Sequence, residues 1–488
     1  MSGIDWAALI AGLLAIGTFV VKVVALGVIP RNRKPSAGLA WLMLVLLSVP
    51  LGLIGFALFG RTSVGSKRRL QQEAANREIG ARTADVPDMP AGLVGPPYLA
   101  TSVRLNRALG ALPMIGGNTI EYLPDYNATM GIMADAVRAA ERYVLVEFYI
   151  SAWDDVTDPV LTAMAEAAER GVEVQFLFDH LGSRGIPGYK DFVKRLDETK
   201  IAWYPMLPLH PLKGTWRRPD LRNHRKLLVV DGLVGFMGSL NLIEAGYNKP
   251  KNHESGRHWV DLMMRVEGPT VTALESVFAV DWEKESGDLR EVRPHARTEA
   301  ALSAEGVCAQ VLPSGPGFAM ENNLRLFNTL IYGAQRRLSL TSPYFVPDES
   351  LLYAVTTAAQ RGVDVELFVS EESDQFMVGH AQASYYRALL EAGIKIWLYP
   401  APAILHSKHF TVDDDVAVIG SSNMDLRSFG LNYEIITMLV GGDAVPRLRE
   451  IEDSYRAVCR QLTMEEWGGR SNGATYVDTV MRLTSALQ

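Results

Sequence analysis

The chain has 488 residues and a formal net charge of −7, and 48% of its residues are hydrophobic. This length predicts about two to four domains with sizeable buried cores. The negative net charge argues against a nucleic-acid-binding protein, so an anionic substrate requires a local basic site. The two cysteines form neither a disulfide framework nor a zinc motif.

Two long apolar stretches occupy the N-terminal end of the chain. Trp6 to Ile29 carries one charge, Lys22, and Ala37 to Phe59 carries none. A helix needs about 20 apolar residues to cross the hydrocarbon core of a bilayer, so both stretches predict membrane-spanning helices. A cleaved signal peptide is the weaker alternative, because no Lys or Arg precedes the first apolar run. We therefore predict a two-helix transmembrane hairpin over residues 1–61.

The basic residues near these stretches bear on the orientation of the hairpin. The turn from Pro30 to Pro35 carries three of them, and the segment after the second stretch carries Arg61, Lys67, Arg68 and Arg69. Segments rich in Lys and Arg favour the cytoplasmic side of a membrane. These two segments flank the second predicted helix and would lie on opposite sides, so only one of them can be cytoplasmic. The larger cluster follows the second stretch. This favours a multi-pass protein of the plasma (inner) membrane with cytoplasmic catalytic domains.

Two further segments lie outside the expected catalytic domains. Residues 62–115 are polar and then rich in Pro and Gly, which predicts a linker. The C-terminal tail at 471–488 contains an amphipathic stretch. This stretch either closes the fold or lies on the membrane surface, and the sequence leaves the choice open.

The remaining chain contains an internal repeat. The strand-like run at 143–150 has a counterpart at 338–345, and each is followed by a helical pattern that ends at a glycine before the next strand. Strand, helix and strand in this order predict right-handed βαβ units and a largely parallel sheet. We expect two α/β domains over 116–295 and 306–470, packed face to face.

The repeat is strongest at two short motifs. Each half has a histidine and a lysine two positions apart, then an aspartate five positions later, and a Gly-Ser-x-Asn sequence that begins seven positions after the aspartate. The matching residues are His224, Lys226, Asp231, Ser239 and Asn241 in the first half, and His406, Lys408, Asp413, Ser421 and Asn423 in the second. One such motif is moderately specific, whereas two copies in a duplicated unit are highly specific.

These paired motifs resemble those of the phospholipase D superfamily. The apolar N-terminal stretches and the phrase from Pro35 to Trp41 are similar to bacterial cardiolipin synthases within it. The resemblance covers nearly the whole chain. It implies an α/β fold of two pseudo-symmetric phospholipase D-like α/β/α domains, preceded by the transmembrane hairpin.

The motif residues suit chemistry on a phosphodiester. Histidine and lysine at i and i+2 of a strand share one face, so two copies can surround one phosphate. Lysines and asparagines would neutralise the charge that develops on the phosphate oxygens, and Ser239 and Ser421 would add hydrogen bonds to the substrate. One imidazole would attack phosphorus, and the other would protonate the leaving alcohol. No cluster of side chains has metal-ligand spacing, so we predict neither a metal nor a cofactor.

The near-symmetry of the motifs leaves open which histidine is the nucleophile. The resemblance implies that the N-terminal motif carries it, which makes His224 the nucleophile and His406 the general acid and base. The resemblance also implies that a carboxylate downstream of each Gly-Ser-x-Asn orients the histidine of the opposite half. Glu434 matches this position well. Asp261 matches less closely, because residues 249–257 look like an insertion.

Several neighbouring residues have two interpretations each. Asp231 and Asp413 either hold local structure, which we favour, or take part in the chemistry. Arg427 and Ser428 either contact a lipid headgroup or form a turn. A basic run beside the first motif either faces solvent or steers phosphate and anionic headgroups. This run comprises Lys213, Arg217, Arg218, Arg222 and Arg225.

The membrane stretches favour a lipid substrate. The resemblance implies that one phosphatidylglycerol gives its phosphatidyl group to His224 and releases glycerol, and that a second phosphatidylglycerol then attacks to form cardiolipin. A phospholipase D-type hydrolase and a transferase with another alcohol acceptor share these motifs. The net charge disfavours a nuclease, and the intact motifs disfavour a non-catalytic scaffold. The expected partners are phosphatidylglycerol, cardiolipin and the lipid bilayer, with no nucleic acid, and a homodimer is left open.

Overall fold

The chain divides into two compact units, residues 1–63 and 64–488. The first unit is helical, whereas the second combines helices with an extensive β-sheet. The computed structural model describes residues 5–31, 35–60, 64–209, 218–292, 299–318 and 321–485.

Within its described residues, the first unit contains one helix long enough to cross a bilayer, α1 (Trp6–Val28). The second apolar stretch is divided into α2 (Pro35–Leu47) and α3 (Val49–Phe59), of 13 and 11 residues. Neither part reaches the length of about 20 residues that a span requires. The predicted two-helix hairpin and the multi-pass arrangement are therefore not confirmed, and one described helix has the length and composition of a membrane span.

The break in the second stretch has a physical cause. Pro50 lacks a backbone N–H and its ring crowds the preceding turn, so a straight helix cannot continue through it. Ser48, just before α3, is extended. Gly52 lets α3 pack closely on α2, since a Cβ there would lie 2.4 Å from the Cα of Val45. The apolar pattern did not predict this break, because hydrophobicity carries no information about a missing hydrogen-bond donor.

The predicted linker at 62–115 is wrong, because much of it forms helices within the second unit. These are α4 (Ser66–Arg82) and α5 (Leu99–Gly110). Arg68 of α4 is buried and pairs with Glu285 at 2.7 Å. α5 contributes apolar side chains to the core of the second half. The concentration of Pro and Gly marks the connection between the two helices and not a free linker.

The first half of the second unit follows the expected alternation of strands and helices. Its strands are β1 (Ile115–Leu123), β2 (Tyr143–Phe148), β3 (Glu173–Asp179), β4 (Ala202–Met206), β5 (Arg222–Asn223), β6 (Leu227–Val230), β7 (Val234–Gly238), β8 (Trp259–Val260) and β9 (Met263–Glu267). Its helices are α6 (Tyr126–Arg138), α7 (Asp158–Glu169), α8 (His180–Arg184), α9 (Tyr189–Asp197), α10 (Pro250–Ser255), α11 (Val271–Ser286) and α12 (Glu299–Leu302).

The second half repeats this order. Its strands are β10 (Val307–Ser314), β11 (Arg337–Thr341), β12 (Phe345–Val346), β13 (Asp364–Ser370), β14 (Lys395–Tyr399), β15 (Ile404–Leu405), β16 (His409–Val412), β17 (Val416–Gly420), β18 (Met424–Asp425), β19 (Asn432–Val440) and β20 (Arg460–Leu462). Its helices are α13 (Asn322–Gly333), α14 (Glu349–Gln360), α15 (Phe376–Glu391), α16 (Leu426–Gly430), α17 (Ala444–Val458), α18 (Met464–Gly468) and α19 (Asn472–Arg482).

One continuous sheet runs through both halves. Its strands lie in the order β4, β3, β2, β6, β7, β9, β1, β10, β19, β17, β16, β11, β13, β14 and β20. Apart from β20, this order is symmetric about the antiparallel pair of β1 and β10, which places a pseudo-twofold axis there. The halves therefore join edge to edge through β1 and β10, and the expected face-to-face packing is wrong.

The prediction of a largely parallel sheet is also wrong. Along this order, the parallel pairs join β2, β3 and β4 and their counterparts β11, β13 and β14. The strands between these two groups pair antiparallel, because β6–β7 and β16–β17 are hairpins. Their tight turns include Asp231 at φ 54° and Asp413 at φ 50°. Such turns connect neighbouring antiparallel strands.

Helices cover both faces of the sheet, and β6 shows how the core is divided. Leu227 and Val229 contribute to one apolar core, whereas Leu228 and Val230 contribute to another. A strand that is buried on both faces reads as an unbroken apolar run. This explains why Lys226 is followed directly by four apolar residues.

The C-terminal tail closes the fold, which resolves one of the open alternatives. α19 lies against α15, and Nδ1 of His380 is 2.7 Å from a carboxylate oxygen of Asp478. Arg470 also pairs with Asp478. Asp478 is buried by these contacts.

Candidate active site

Two short strand pairs connect the halves beside the motif histidines. β5 pairs in parallel with β19, and β8 pairs in parallel with β15. Next to the first pair, the amide of His224 donates to the carbonyl of Tyr433 at 2.8 Å. Next to the second, the amide of His406 donates to the carbonyl of Val260 at 2.7 Å. Each histidine is therefore held by backbone of the opposite half.

Each histidine also contacts a carboxylate of the opposite half. Nδ1 of His224 lies 3.0 Å from Oε2 of Glu434, and Nδ1 of His406 lies 2.7 Å from Oδ1 of Asp261. A carboxylate at Nδ1 fixes the tautomer and the ring orientation, and it leaves Nε2 for chemistry. The structure thus brings each motif histidine together with the carboxylate that the sequence predicts to orient it.

The motif serines support these carboxylates. Ser239 donates to Asp261 at 2.6 Å, and Ser421 donates to Glu434. Each serine hydroxyl also accepts a hydrogen bond from a backbone amide at 3.0 Å. Both serines are fully buried and neither lines the cavity described next. Each serine hydroxyl already donates its proton to a carboxylate, so neither serine is placed to donate to a phosphate.

Both histidines face one cavity of about 340 Å³. The motif asparagines Asn241 and Asn423 line the same cavity. Asn241 is fixed, because its Nδ2 donates to the hydroxyl of Tyr247 at 2.7 Å. Further lining residues are Tyr149, Lys249, Tyr344, Asp374, Gln375, Asp425 and Arg427. Among the residues that the structure describes, no group of three His, Cys, Asp or Glu side chains is arranged to hold a metal ion.

The motif lysines are buried beside the histidines, and neither is among the residues that line the cavity. The ammonium of Lys226 donates to the carbonyl of His224 at 2.7 Å, and that of Lys408 donates to the carbonyl of His406. Burial lowers the pKa of Lys226 well below its usual value, and it lowers the pKa of Lys408 to about 8. An anionic phosphodiester in the cavity would favour the charged form of both lysines.

The electrostatic surroundings of the two histidines differ. Burial raises the pKa of the Glu434 carboxyl to about 7. Burial also acts to raise the pKa of Asp261, but the neighbouring His406 and Lys408 outweigh it, so that pKa is lowered. Burial lowers the pKa of both histidines, and it lowers that of His224 well below the usual value. His406 therefore has the more strongly anionic partner.

Arg225 lies between His224 and Lys226 in the extended chain. Its side chain is fully buried on the face opposite to theirs. Its Nε donates to the carbonyl of Glu434 at 3.0 Å, and its guanidinium pairs with Asp281. Lys284 joins the same network through Asp281 at 3.0 Å. The corresponding residue in the second half is the uncharged Ser407. Arg225 is thus neither solvent-exposed nor a phosphate-steering residue.

The structure describes two of the other four residues of the basic run, and both form ion pairs. Arg218 pairs with a neighbouring aspartate, and Arg222 is buried with Asp179 at 3.1 Å. These two arginines therefore stabilise the local structure. Two members lie outside the described residues, namely Lys213 and Arg217.

The motif aspartates do not line the cavity. The side chain of Asp231 accepts hydrogen bonds at 2.8 Å from the amides of residues 141–143, just before β2 and at its first residue. Asp413 accepts from the amides of residues 335–337 at the start of β11. These contacts support the structural interpretation of both residues over a part in the chemistry.

Arg427 and Ser428, which follow the second motif, lie in different surroundings. Arg427 lines the cavity, whereas Ser428 is buried in the turn. The amide of Ser428 donates to Asp425, and its hydroxyl accepts from the amide of Asn423 at 3.2 Å. Asp374 also lines the cavity, although the sequence motifs do not predict it. It lies outside both motifs, and its only sequence cue is a position shortly after a strand end.

Comparisons with known proteins agree with this geometry. The family described as cardiolipin synthase, PLD-like domain, matches residues 133–282 and 327–454, one segment in each half. Relatives named Cardiolipin synthase A from Yersinia pseudotuberculosis and Yersinia pestis are each 30% identical, covering 92% of this chain and 92% of theirs. A phosphatidylserine synthase of Haemophilus influenzae shares the fold, with a TM-score of 0.56 at 14% identity over 79% of this chain and 99% of that chain. The chain belongs to the cardiolipin synthase family with PLD-like domains.

Proposed function

We propose that this chain is a cardiolipin synthase, which transfers a phosphatidyl group from one phosphatidylglycerol to another through a phosphohistidine and releases glycerol. The observation that carries the proposal is the pair of histidines that face one cavity, each with its Nδ1 against a carboxylate of the opposite half. Membership of the family and the names of the relatives support the lipid substrate.

In the first step, Nε2 of His224 attacks phosphorus. Burial and the nearby lysines lower the pKa of His224, so its imidazole is neutral and its Nε2 lone pair is available. The N–P bond forms as the P–O bond to the glycerol headgroup breaks. Asp261 raises the pKa of His406 against the larger lowering by burial, and the protonated form of His406 gives its Nε2 proton to the departing oxygen.

In the second step, His406 is neutral and acts as the base. It accepts the proton of the terminal hydroxyl of a second phosphatidylglycerol while that oxygen attacks phosphorus. The new O–P bond forms, the N–P bond breaks, and His224 returns to its neutral state. One phosphodiester replaces another, so the exchange needs no nucleotide.

The lysines and asparagines of the motifs have the electrostatic role in this proposal. Lys226 and Lys408 neutralise the phosphoryl oxygens, and the amides of Asn241 and Asn423 add neutral donors. A pre-aimed donor of this kind contributes about 3–4 kcal/mol to stabilising a transition state. The buried position of the lysines strengthens their interaction with the phosphate, because little water screens it.

We also propose that α1 anchors the protein in the plasma (inner) membrane and that the second unit faces the cytoplasm. α1 has the required length, and basic residues follow the apolar region. A Leu289→Cys variant tests the orientation, because Leu289 is exposed. A membrane-impermeant thiol reagent should label it only after the cells are opened. Labelling in intact cells would place the second unit on the outer side.

The activity is tested with purified protein in vesicles that contain labelled phosphatidylglycerol as the only phospholipid. Cardiolipin and free glycerol should appear in equal amounts. Phosphatidic acid in place of cardiolipin would show a hydrolase. A Lys226→Met variant should lose activity by at least about 100-fold, since one lysine contributes at the scale of a pre-aimed donor.

A further inference from the structure

One wall of the cavity carries polar groups that the phosphoryl chemistry does not use. Tyr344, Asp374 and Gln375 all line the cavity. The hydroxyl of Tyr344 donates to Oδ1 of Asp374 at 2.8 Å, and Nε2 of Gln375 donates to that hydroxyl at 2.9 Å. The chain of hydrogen bonds fixes the carboxylate and occupies only one of its two oxygens.

This carboxylate lines the same cavity as His406, the proposed general acid. Its charge acts on Lys408, where it raises the pKa against the larger lowering by burial. Lys408 is bonded to the carbonyl of His406. The charge of Asp374 also acts on Tyr247, which holds Asn241 across the cavity. Asp374 is therefore within electrostatic reach of the place where an alcohol leaves or attacks.

A carboxylate at this position determines which chemical groups of a substrate can bind beside it. An ionised carboxylate accepts hydrogen bonds but donates none, so it binds an alcohol hydroxyl and repels a phosphate oxygen. The other carboxylate of the cavity, Asp425, is already bonded to the amide of Ser428 at the start of α16. Asp374 is thus suited to the neutral, hydroxyl-bearing part of a substrate whose phosphate lies against Lys226 and Lys408.

We propose that Asp374, held by Tyr344, accepts a hydrogen bond from the secondary hydroxyl of glycerol and thereby selects glycerol as the alcohol. This inference rests on the proposed function. The leaving glycerol and the attacking phosphatidylglycerol both carry a secondary hydroxyl on the carbon next to the reacting CH2–O group. One subsite therefore serves both half-reactions.

The test uses the reverse reaction of the full-length protein in vesicles. Cardiolipin is the phosphatidyl donor, and the added alcohol is either glycerol or 1,3-propanediol, which lacks only the secondary hydroxyl. A hydrogen bond to a charged group corresponds to a preference for glycerol of about tenfold or more in kcat/KM. The Asp374→Ala variant should lose this preference, because its kcat/KM for glycerol should fall to that for 1,3-propanediol.

Two further variants make the test specific. Tyr344→Phe removes the donor to Asp374 and should reduce the preference for glycerol in part. Glu372→Ala removes an exposed carboxylate of the same loop that does not line the cavity, and it should keep the wild-type preference. The inference is overturned if Asp374→Ala keeps the wild-type ratio of kcat/KM for glycerol to kcat/KM for 1,3-propanediol. A wild type that transfers to neither alcohol would contradict the proposed function itself, and this inference with it.

Discussion

Nδ1 of His224 lies 3.0 Å from Oε2 of Glu434, although 210 positions separate the two residues in the chain. The contact exists because β5 of the first half pairs with β19 of the second. The equivalent contact between His406 and Asp261 follows from the pairing of β15 with β8. Each half thus supplies one histidine and the carboxylate that orients the other, so one half alone does not form this site.

The orienting carboxylates should be essential for turnover. Glu434→Gln and Asp261→Asn keep the size of each side chain but remove the charge that fixes the histidine tautomer. We expect kcat to fall about 100- to 10,000-fold in each variant, as for loss of an orienting carboxylate in a hydrolase triad. Ser421→Ala removes only a donor to Glu434 and should cost less. Wild-type kcat in either carboxylate variant would contradict the orienting role.

The activity should depend on pH through Glu434. Its pKa is raised to about 7 by burial, so it is protonated below that pH and no longer holds His224 as a charged acceptor. We expect kcat/KM to fall as the pH drops through about 7. Burial lowers the pKa of both histidines, so neither produces this limb. Profiles of kcat/KM against pH should lose the limb in Glu434→Gln and keep it in Asp261→Asn. A limb that persists unchanged in Glu434→Gln would refute its assignment.

Arg225 should be important for stability as well as for the position of Glu434. An Arg225→Met variant leaves the buried Asp281 without its main partner, which costs about 3–5 kcal/mol in unfolding free energy. Ser407→Ala at the equivalent position of the second half should cost less than about 1 kcal/mol. Denaturant unfolding in detergent measures both. Equal effects of the two changes would show that the ion-pair network contributes little.

The motif aspartates should affect folding and not chemistry. Asp231→Ala leaves three backbone amides without their acceptor, and we expect a loss of about 3 kcal/mol in unfolding free energy. Asp413→Ala should behave in the same way. The folded fraction of each variant should keep kcat within about threefold. A variant of normal stability that has lost its turnover would instead assign the aspartate to the reaction.

The motifs were predictable because their information is local. Spacing of two in an extended chain places His224 and Lys226 on one side and Arg225 on the other, whatever the rest of the fold does. The join between the halves was not predictable, because an apolar strand such as β1 does not specify which strand it pairs with. The role of Asp374 was also hidden, since it depends on Tyr344, 30 positions earlier in the chain.

The most direct test of the account is to trap the covalent intermediate on His224. A phosphatidyl ester of p-nitrophenol has a leaving group that needs no protonation, so a His406→Ala variant can still form the phosphohistidine but cannot activate the acceptor. We predict a burst of about one nitrophenol per protein, slow turnover afterwards, and the phosphatidyl label on the peptide that contains His224. Label on another residue, or steady turnover without a burst and without labelled protein, would contradict the account.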